Sequence, residues 1–205
     1  MGTSKAEAAA ASKARILEGA QSLILKRGYT AMTVDAICQY AGITKGGFFH
    51  HFANKEILGE AVLTQFWEDV ESRNAKAPYK NAATPLEYLE GYLDFAIQSY
   101  QDPALRQGCM LAIFTMELAE SNETLFKIAS SHFSSWRTEL VEMLEKVKEY
   151  TGSQLDPTHW SDFYISTLEG ALLLAKANDD PGVITRSLTL YKTILLNCAT
   201  QVKAK

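Results

Sequence analysis

Apolar residues return every three to four positions along most of the chain. In residues 122–151, Leu125, Ile128, Ala129, Phe133, Trp136, Leu140, Met143 or Leu144 and Val147 fall on one stripe, the spacing of a long amphipathic helix. Ile16, Ala20, Leu23 and Ile24 share a face of an earlier helix, which the Arg27-Gly28 pair stops. Leu58, Val62, Phe66 and Val70 line a third helix behind Asn54. No strand-length window alternates β-branched with polar residues, so the pattern predicts an all-α chain of about nine helices.

The punctuation between stripes agrees. Thr84-Pro85, Asp102-Pro103, Asp156-Pro157 and Asp180-Pro181 each put a capping residue before a proline whose missing N–H is harmless at a first helical position. Glu87 completes a capping box with Thr84, and Ser121-Asn122 offers one more start. Near the N-terminus, Thr33 caps a short helix, Val34 to Tyr40. Ala41-Gly42-Ile43 then turns and Thr44 caps the next helix. Two short helices joined by a glycine-containing turn make a helix-turn-helix.

The second of these helices opens KGGFFHHF. Each interior glycine costs a helix roughly 0.8–1 kcal/mol relative to alanine, so Gly46 and Gly47 need a reason other than helix stability. In a helix-turn-helix the second helix enters the DNA major groove by its N-terminal end, where a missing side chain allows close approach. Phe48 and Phe52, four apart, face inward, while Phe49, His50 and His51 face outward or sideways toward bases, sugars and phosphates. Lys45 and Lys55 bracket the rings and supply phosphate attraction. Adjacent His50 and His51 point about 100° apart and do not make a metal pair.

Charge sharpens this division. The net −4 splits into +3 over residues 1–58, with seven basic residues against four acidic, and −7 over the rest. A basic module on an acidic body points to a polyanion partner for the first part only. The longest apolar run, Cys109 to Phe114, is too short to span a membrane, and Glu7, Ser12, Lys13 and Arg15 interrupt any signal-peptide core. Cys38, Cys109 and Cys198 are widely spaced, without a CxxC pair, which fits a reducing cytoplasm and neither a disulfide framework nor a zinc site. Repeated Glu-x-x-His motifs, a P-loop, a dinucleotide fingerprint and a Ser/His/Asp set are all missing. No enzyme, catalytic residue, metal or cofactor is expected.

The run RGYTAMTVDAICQYAGITKGGFFHHFANKEIL resembles the DNA-binding domain of the TetR/AcrR family of bacterial regulators. The resemblance implies a three-helix helix-turn-helix domain, residues 1–58, followed by a helical ligand-binding and dimerisation domain, residues 59–205. It implies DNA contacts from Thr33, Thr44, Lys45, Gly46, Gly47, Phe49, His50, His51 and Lys55. Phe49 stands where the family usually has a tyrosine that bonds a phosphate, so it can keep that contact without the hydrogen bond.

The stretches QGCMLAIFTMELAESNETL and EGALLLAKANDDPGVITRSLTLYK are similar to the subgroup containing the repressor of N-ethylmaleimide reductase, with Gly108-Cys109 as the shared point. The expected partners are a palindromic operator, a second copy of the chain and a small-molecule inducer, without a membrane. The last two helices, roughly Pro157 to Lys176 and Pro181 to Val202, offer Leu168, Ala171, Leu172, Ala175, Ile184, Leu188, Tyr191 and Leu195 as a dimer interface. Pocket candidates are Tyr92, Phe95, Cys109, Met110, Phe114, Glu117, His132, Phe133, Trp136, Phe163 and Tyr164. Cys109, seven residues into the helix expected from Asp102-Pro103 and after Arg106, is also a candidate electrophile sensor. The expected function is a repressor released by an inducer, with cysteine-based sensing through Cys109 as the alternative. The helix from Lys55 to about Asn74 would link ligand to operator by changing the spacing of the recognition helices.

Overall fold

The computed structural model describes residues 4–201. Among them the chain forms nine α-helices and no strand. They are α1 (Lys5–Arg27), α2 (Val34–Ala41), α3 (Lys45–His51), α4 (Lys55–Ala75), α5 (Pro85–Ser99), α6 (Met110–Leu118), α7 (Glu123–Thr151), α8 (Pro157–Asn178) and α9 (Gly182–Thr200). The all-α expectation holds. Val202, the expected end of the last helix, lies outside the described residues.

Most helix starts are set by local chemistry. The side chains of Thr33, Thr44 and Asn54 accept the N–H groups of Ala36, Gly47 and Ile57, and Thr84 forms a full capping box with Glu87. Asn122 and Asp156 accept from Leu125 and His159. Each such bond satisfies a donor that the first helical turn leaves unpaired.

One expected start fails. The Asp102 carboxylate accepts the N–H of Ala104, only two residues on, which closes a turn instead of capping a helix. A short 3-10 turn, Leu105–Gln107, and Gly108 at φ 137° follow. Cys109 is therefore the residue before α6, not a position within a helix begun at Asp102. At Asp180-Pro181 the helix begins one residue later, at Gly182, whose N–H bonds Asp180.

Packing divides the chain into two compact units. The first takes in the chain through Asp69 together with Cys109–Ser131, and the second takes in Val70–Gly108 together with the chain from His132 onward. In the first, Ile16, Ala20 and Ile24 of α1, Ile37 of α2, Phe48 of α3 and Leu58 and Val62 of α4 are sealed from water. Burying each large side chain stabilises by about 1.5–3 kcal/mol, and this core fixes α3 against its neighbours. In the second, α8 and α9 pack along their length, and Leu168, Leu172, Ile184, Leu188 and Leu195 fill the seam.

Candidate functional site

In α3 the Thr44 hydroxyl accepts the Gly47 N–H at 3.1 Å, which fixes the entry of the helix. A Cβ added at Gly46 meets nothing closer than Thr44 Oγ1 at 3.7 Å, and one at Gly47 nothing closer than the same atom at 3.6 Å. Nothing within the chain requires glycine at either place. Phe48 and Phe52 are buried, with ring centroids 6.0 Å apart, and lock the inner face of α3. Phe49 is 52% exposed and meets Phe48 edge-on at 5.2 Å.

The charged and imidazole groups are less uniform. His50 is exposed, while His51 turns sideways and its Nε2 lies 3.1 Å from Ser12 Oγ on α1. Burial, with the nearby His50 and Lys13, holds the His51 pKa below its ordinary value. Lys45 is paired at 2.8 Å with Asp35 of α2, whose hydrogen bond and charge raise its pKa. Lys55 turns toward the chain: its ammonium donates to Thr30 O at 3.1 Å and lies 4.4 Å from the centre of the Tyr29 ring. Burial lowers its pKa, while Glu117 opposes the shift. Burial also pushes the Tyr29 phenol up to about 12, so it stays protonated and donates to Lys55 O at 3.2 Å. Thr33 stays exposed while its hydroxyl caps α2.

The expected contact set thus contains an outward group, Gly46, Gly47, Phe49 and His50, and a braced group, Lys45, His51 and Lys55. Asp35 and Ser12, which brace Lys45 and His51, were not visible as site residues, because only folding brings Ser12 to His51, 39 positions away.

The second unit holds a cavity of about 830 Å³ at the end of α4, the 3-10 turn Pro78–Asn81, the start of α5 and the middle of α7. Tyr79, Tyr88, Tyr92 and Trp136 line it with Glu71, Glu139, Glu142, Lys80 and Lys146. The Trp136 indole N–H donates to Tyr92 Oη at 3.2 Å. Of the expected pocket residues only Tyr92 and Trp136 are in the lining. Phe95 packs on Tyr79, Tyr164 on Tyr92 and Trp136, and Phe133 stacks on Trp136, all one layer back. His132 is half-buried, and burial lowers its pKa.

The remaining pocket candidates lie away from this cavity. Met110 and Phe114 are core residues of the first unit, Phe114 against Tyr29 at 4.8 Å. Glu117 accepts the Thr30 N–H at 2.7 Å in that unit, and Cys109 precedes α6 there. Phe163 is half-exposed beside Trp160 and Tyr191. Helical spacing marked these residues as inward-facing, and the local core takes up most of such side chains.

Two family models match the chain. Residues 16–62 match the TetR family of bacterial regulatory proteins, and residues 85–187, half of the chain, match the C-terminal domain of LmrA/YxaF-like transcriptional regulators. The chain belongs to the TetR family. It is a DNA-binding regulator of transcription and not an enzyme. TetR-family regulators bind DNA operators, act as dimers and are typically ligand-responsive repressors. A curated relative, the HTH-type transcriptional repressor DhaR of Mycobacterium sp. (strain GP1), is 27% identical over 88% of this chain and 90% of its own. A TetR-family regulator from Streptomyces coelicolor superposes with a TM-score of 0.79 at 17% identity, covering 94% of this chain and 97% of that one. The reduced form of Escherichia coli NemR superposes at 0.69 with 21% identity over 89% of this chain and 96% of its own, a likeness of fold.

The residues expected at the dimer interface are already packed within one chain. Leu168, Ala171, Leu172, Ala175, Ile184, Leu188, Tyr191 and Leu195 are all buried within the single chain, so they have almost no surface left for a partner. Tyr191 even spends its hydroxyl on Trp160 O, at 2.8 Å. The same two helices expose other apolar groups, Leu173 at 69%, Leu174, Leu190 at 61% and Ile194.

Proposed function

We propose that the chain is a repressor that grips a palindromic operator as a homodimer and lets go when a small molecule fills the cavity between α5 and α7. The observation that carries this reading is that Gly46 and Gly47, where a side chain would meet only ordinary contacts with Thr44 and Ile43, leave the first turn bare on a helix whose other face is locked by Phe48 and Phe52. A rigid helix with a bare first turn is suited to close approach to base edges and backbone. Residues 1–58 form the DNA-binding domain in this reading, and residues 59–205 sense the ligand and dimerise. Thr44, Gly46, Gly47, Phe49 and His50 face the groove, while Thr33 and Lys45 reach phosphates, Lys45 by exchanging Asp35 for DNA. His51 and Lys55 mainly hold α3 and α4 in place. Helix α4 begins at Lys55 and its last turns, Asn74 and Ala75, line the cavity. Ligand that favours one placement of this helix shifts the population away from the operator-binding form. The setting is the cytoplasm, where operator DNA is found.

The test is fluorescence anisotropy of labelled DNA from upstream of the protein's own gene. Binding is expected to weaken steeply with salt, as counterions released by phosphate contacts require, and to be reversed by a small molecule found by screening. Failure to bind that DNA or any selected duplex in a salt-dependent way refutes the reading.

One observation supports a second trigger. Cys109 sits at the N-terminal end of α6, and helix N-termini in general favour the thiolate form that attacks electrophiles. Alkylation would then release DNA from the wild type and not from Cys109→Ser, whereas release from both, or from neither, removes this trigger.

A further inference from the structure

The cavity is walled by rings and carboxylates. Tyr79 meets Tyr88 edge to face at 5.0 Å and Tyr92 at 5.6 Å, so neighbouring ring faces turn in different directions around one corner. Glu71, Glu139 and Glu142 stand against only two ammonium groups, Lys80 and Lys146. The lining therefore carries one negative charge in excess.

Lys80 demonstrates what this corner holds. Its ammonium lies 5.3 Å from the centre of the Tyr79 ring and donates to the Tyr88 hydroxyl at 2.7 Å, at the edge of that second ring. Aromatic faces attract cations, the more so where water is excluded. The same ammonium acts on the Glu139 carboxylate, whose pKa burial pushes up, with Glu71 and Glu142 adding to the rise. A partly desolvated carboxylate that also feels two others gains from a positive charge nearby. Lys80 supplies that charge on a flexible stem whose head can also reach water.

An anion finds less. Lys80 is already engaged with the Tyr79 ring and the Tyr88 hydroxyl and acts on Glu139. Lys146 stands one turn from Glu142 on the same side of α7, the spacing at which opposite charges offset each other.

We propose that the cavity takes a lipophilic cation, a bulky amine or quaternary ammonium, whose charge replaces the Lys80 ammonium over Tyr79 with Glu139 as counter-ion. This rests on the reading of the cavity as the inducer site. Lys80 is then a tethered competitor that keeps the corner occupied until a ligand with its own hydrophobic body displaces it. Tyr92 and Trp136 receive that body.

The test is equilibrium dialysis of the full chain with three probes of one shape. They are (1-naphthylmethyl)trimethylammonium, its carbon isostere 1-neopentylnaphthalene and the anion 1-naphthylmethanesulfonate. The ammonium is expected to bind about tenfold tighter than the neutral isostere, the scale of a partly desolvated cation–π contact with a counter-ion, and the sulfonate weakest. Glu139→Gln should reduce the ammonium to the level of the isostere, Lys80→Met should strengthen it, and Glu145→Gln, on α7 outside the lining, should leave it unchanged. Equal or tighter binding of the neutral or anionic probe overturns the proposal, as does an unchanged preference in Glu139→Gln or no binding by any probe. Operator binding, read by anisotropy on the same preparation without probe, reports on the regulator reading separately.

Discussion

At Gly46 helix stability and the proposed approach to DNA pull in opposite directions. Alanine would fit, since its Cβ would meet nothing within 3.7 Å, and it would relieve the helix of a conformationally loose residue. Gly46→Ala should therefore stabilise the free protein by up to about 1 kcal/mol, a rise in Tm of about 2–4 °C for a chain of this size. If the first turn of α3 lies against DNA as proposed, operator affinity should nevertheless fall at least tenfold, because the new methyl group would occupy the space the DNA surface needs. Thermal melting and anisotropy on the same variant check both halves. A stabilised variant with undiminished affinity would show that the bare first turn faces something other than DNA. The double glycine was legible in sequence as a question because it breaks a helical rule. Its neighbours were less so: whether Lys55 faces outward or inward depends on Tyr29, Thr30 and Glu117, which only the folded chain brings beside it.

Among elements, α6 is tied to the end of α1 by one close fit. Gly28 ends α1 at φ 86°, and a Cβ placed there would lie 1.9 Å from Glu117 Oε1. The other carboxylate oxygen of Glu117 accepts the Thr30 N–H at 2.7 Å, and Phe114, one turn earlier on α6, meets Tyr29 at 4.8 Å. Gly28→Ala must therefore both strain the backbone and expel Glu117 from its seat. The combined cost is about 2–4 kcal/mol, from strain at a φ, ψ of 86° and 162° that only glycine adopts readily and from a lost charge-assisted hydrogen bond at an exposed site. Denaturant unfolding should show it, and the same substitution made in a Glu117→Ala background, where neither the clash nor the hydrogen bond is left to lose, should cost only the backbone strain, about 1–3 kcal/mol. An equal cost in both backgrounds would place the damage in the backbone alone. Helix starts were readable from sequence because a cap and its N–H lie within three residues of each other. Asp102-Pro103 misled for the same local reason: its carboxylate found the N–H of Ala104 first.

For the molecule as a whole, the sequence could show that α8 and α9 are apolar but not which apolar residues the chain keeps for itself. Both helices have more apolar residues than one face needs. The stripe with the cleaner spacing, Leu168 through Leu195, went to the contact between the two helices. Leu173 and Leu174 on α8 and Leu190 and Ile194 on α9 are left in water, where several large apolar groups together mark an association surface. Gly170, one turn before Leu173 and Leu174, has open space around the position of a Cβ, room for a partner helix to come close. If two chains pair through this face, Leu190→Glu buries an unpaired charge in the dimer and nothing in the monomer. Sedimentation should then show a monomer with unchanged helix content by circular dichroism, and operator affinity should collapse because one α3 reads only a half-site. Leu188→Glu, two residues away but within the chain's own seam, should instead unfold the second unit. A Leu190→Glu protein that stays dimeric and binds DNA normally would move the interface off this face. A Leu188→Glu protein that merely dissociates would restore the seam residues as the interface.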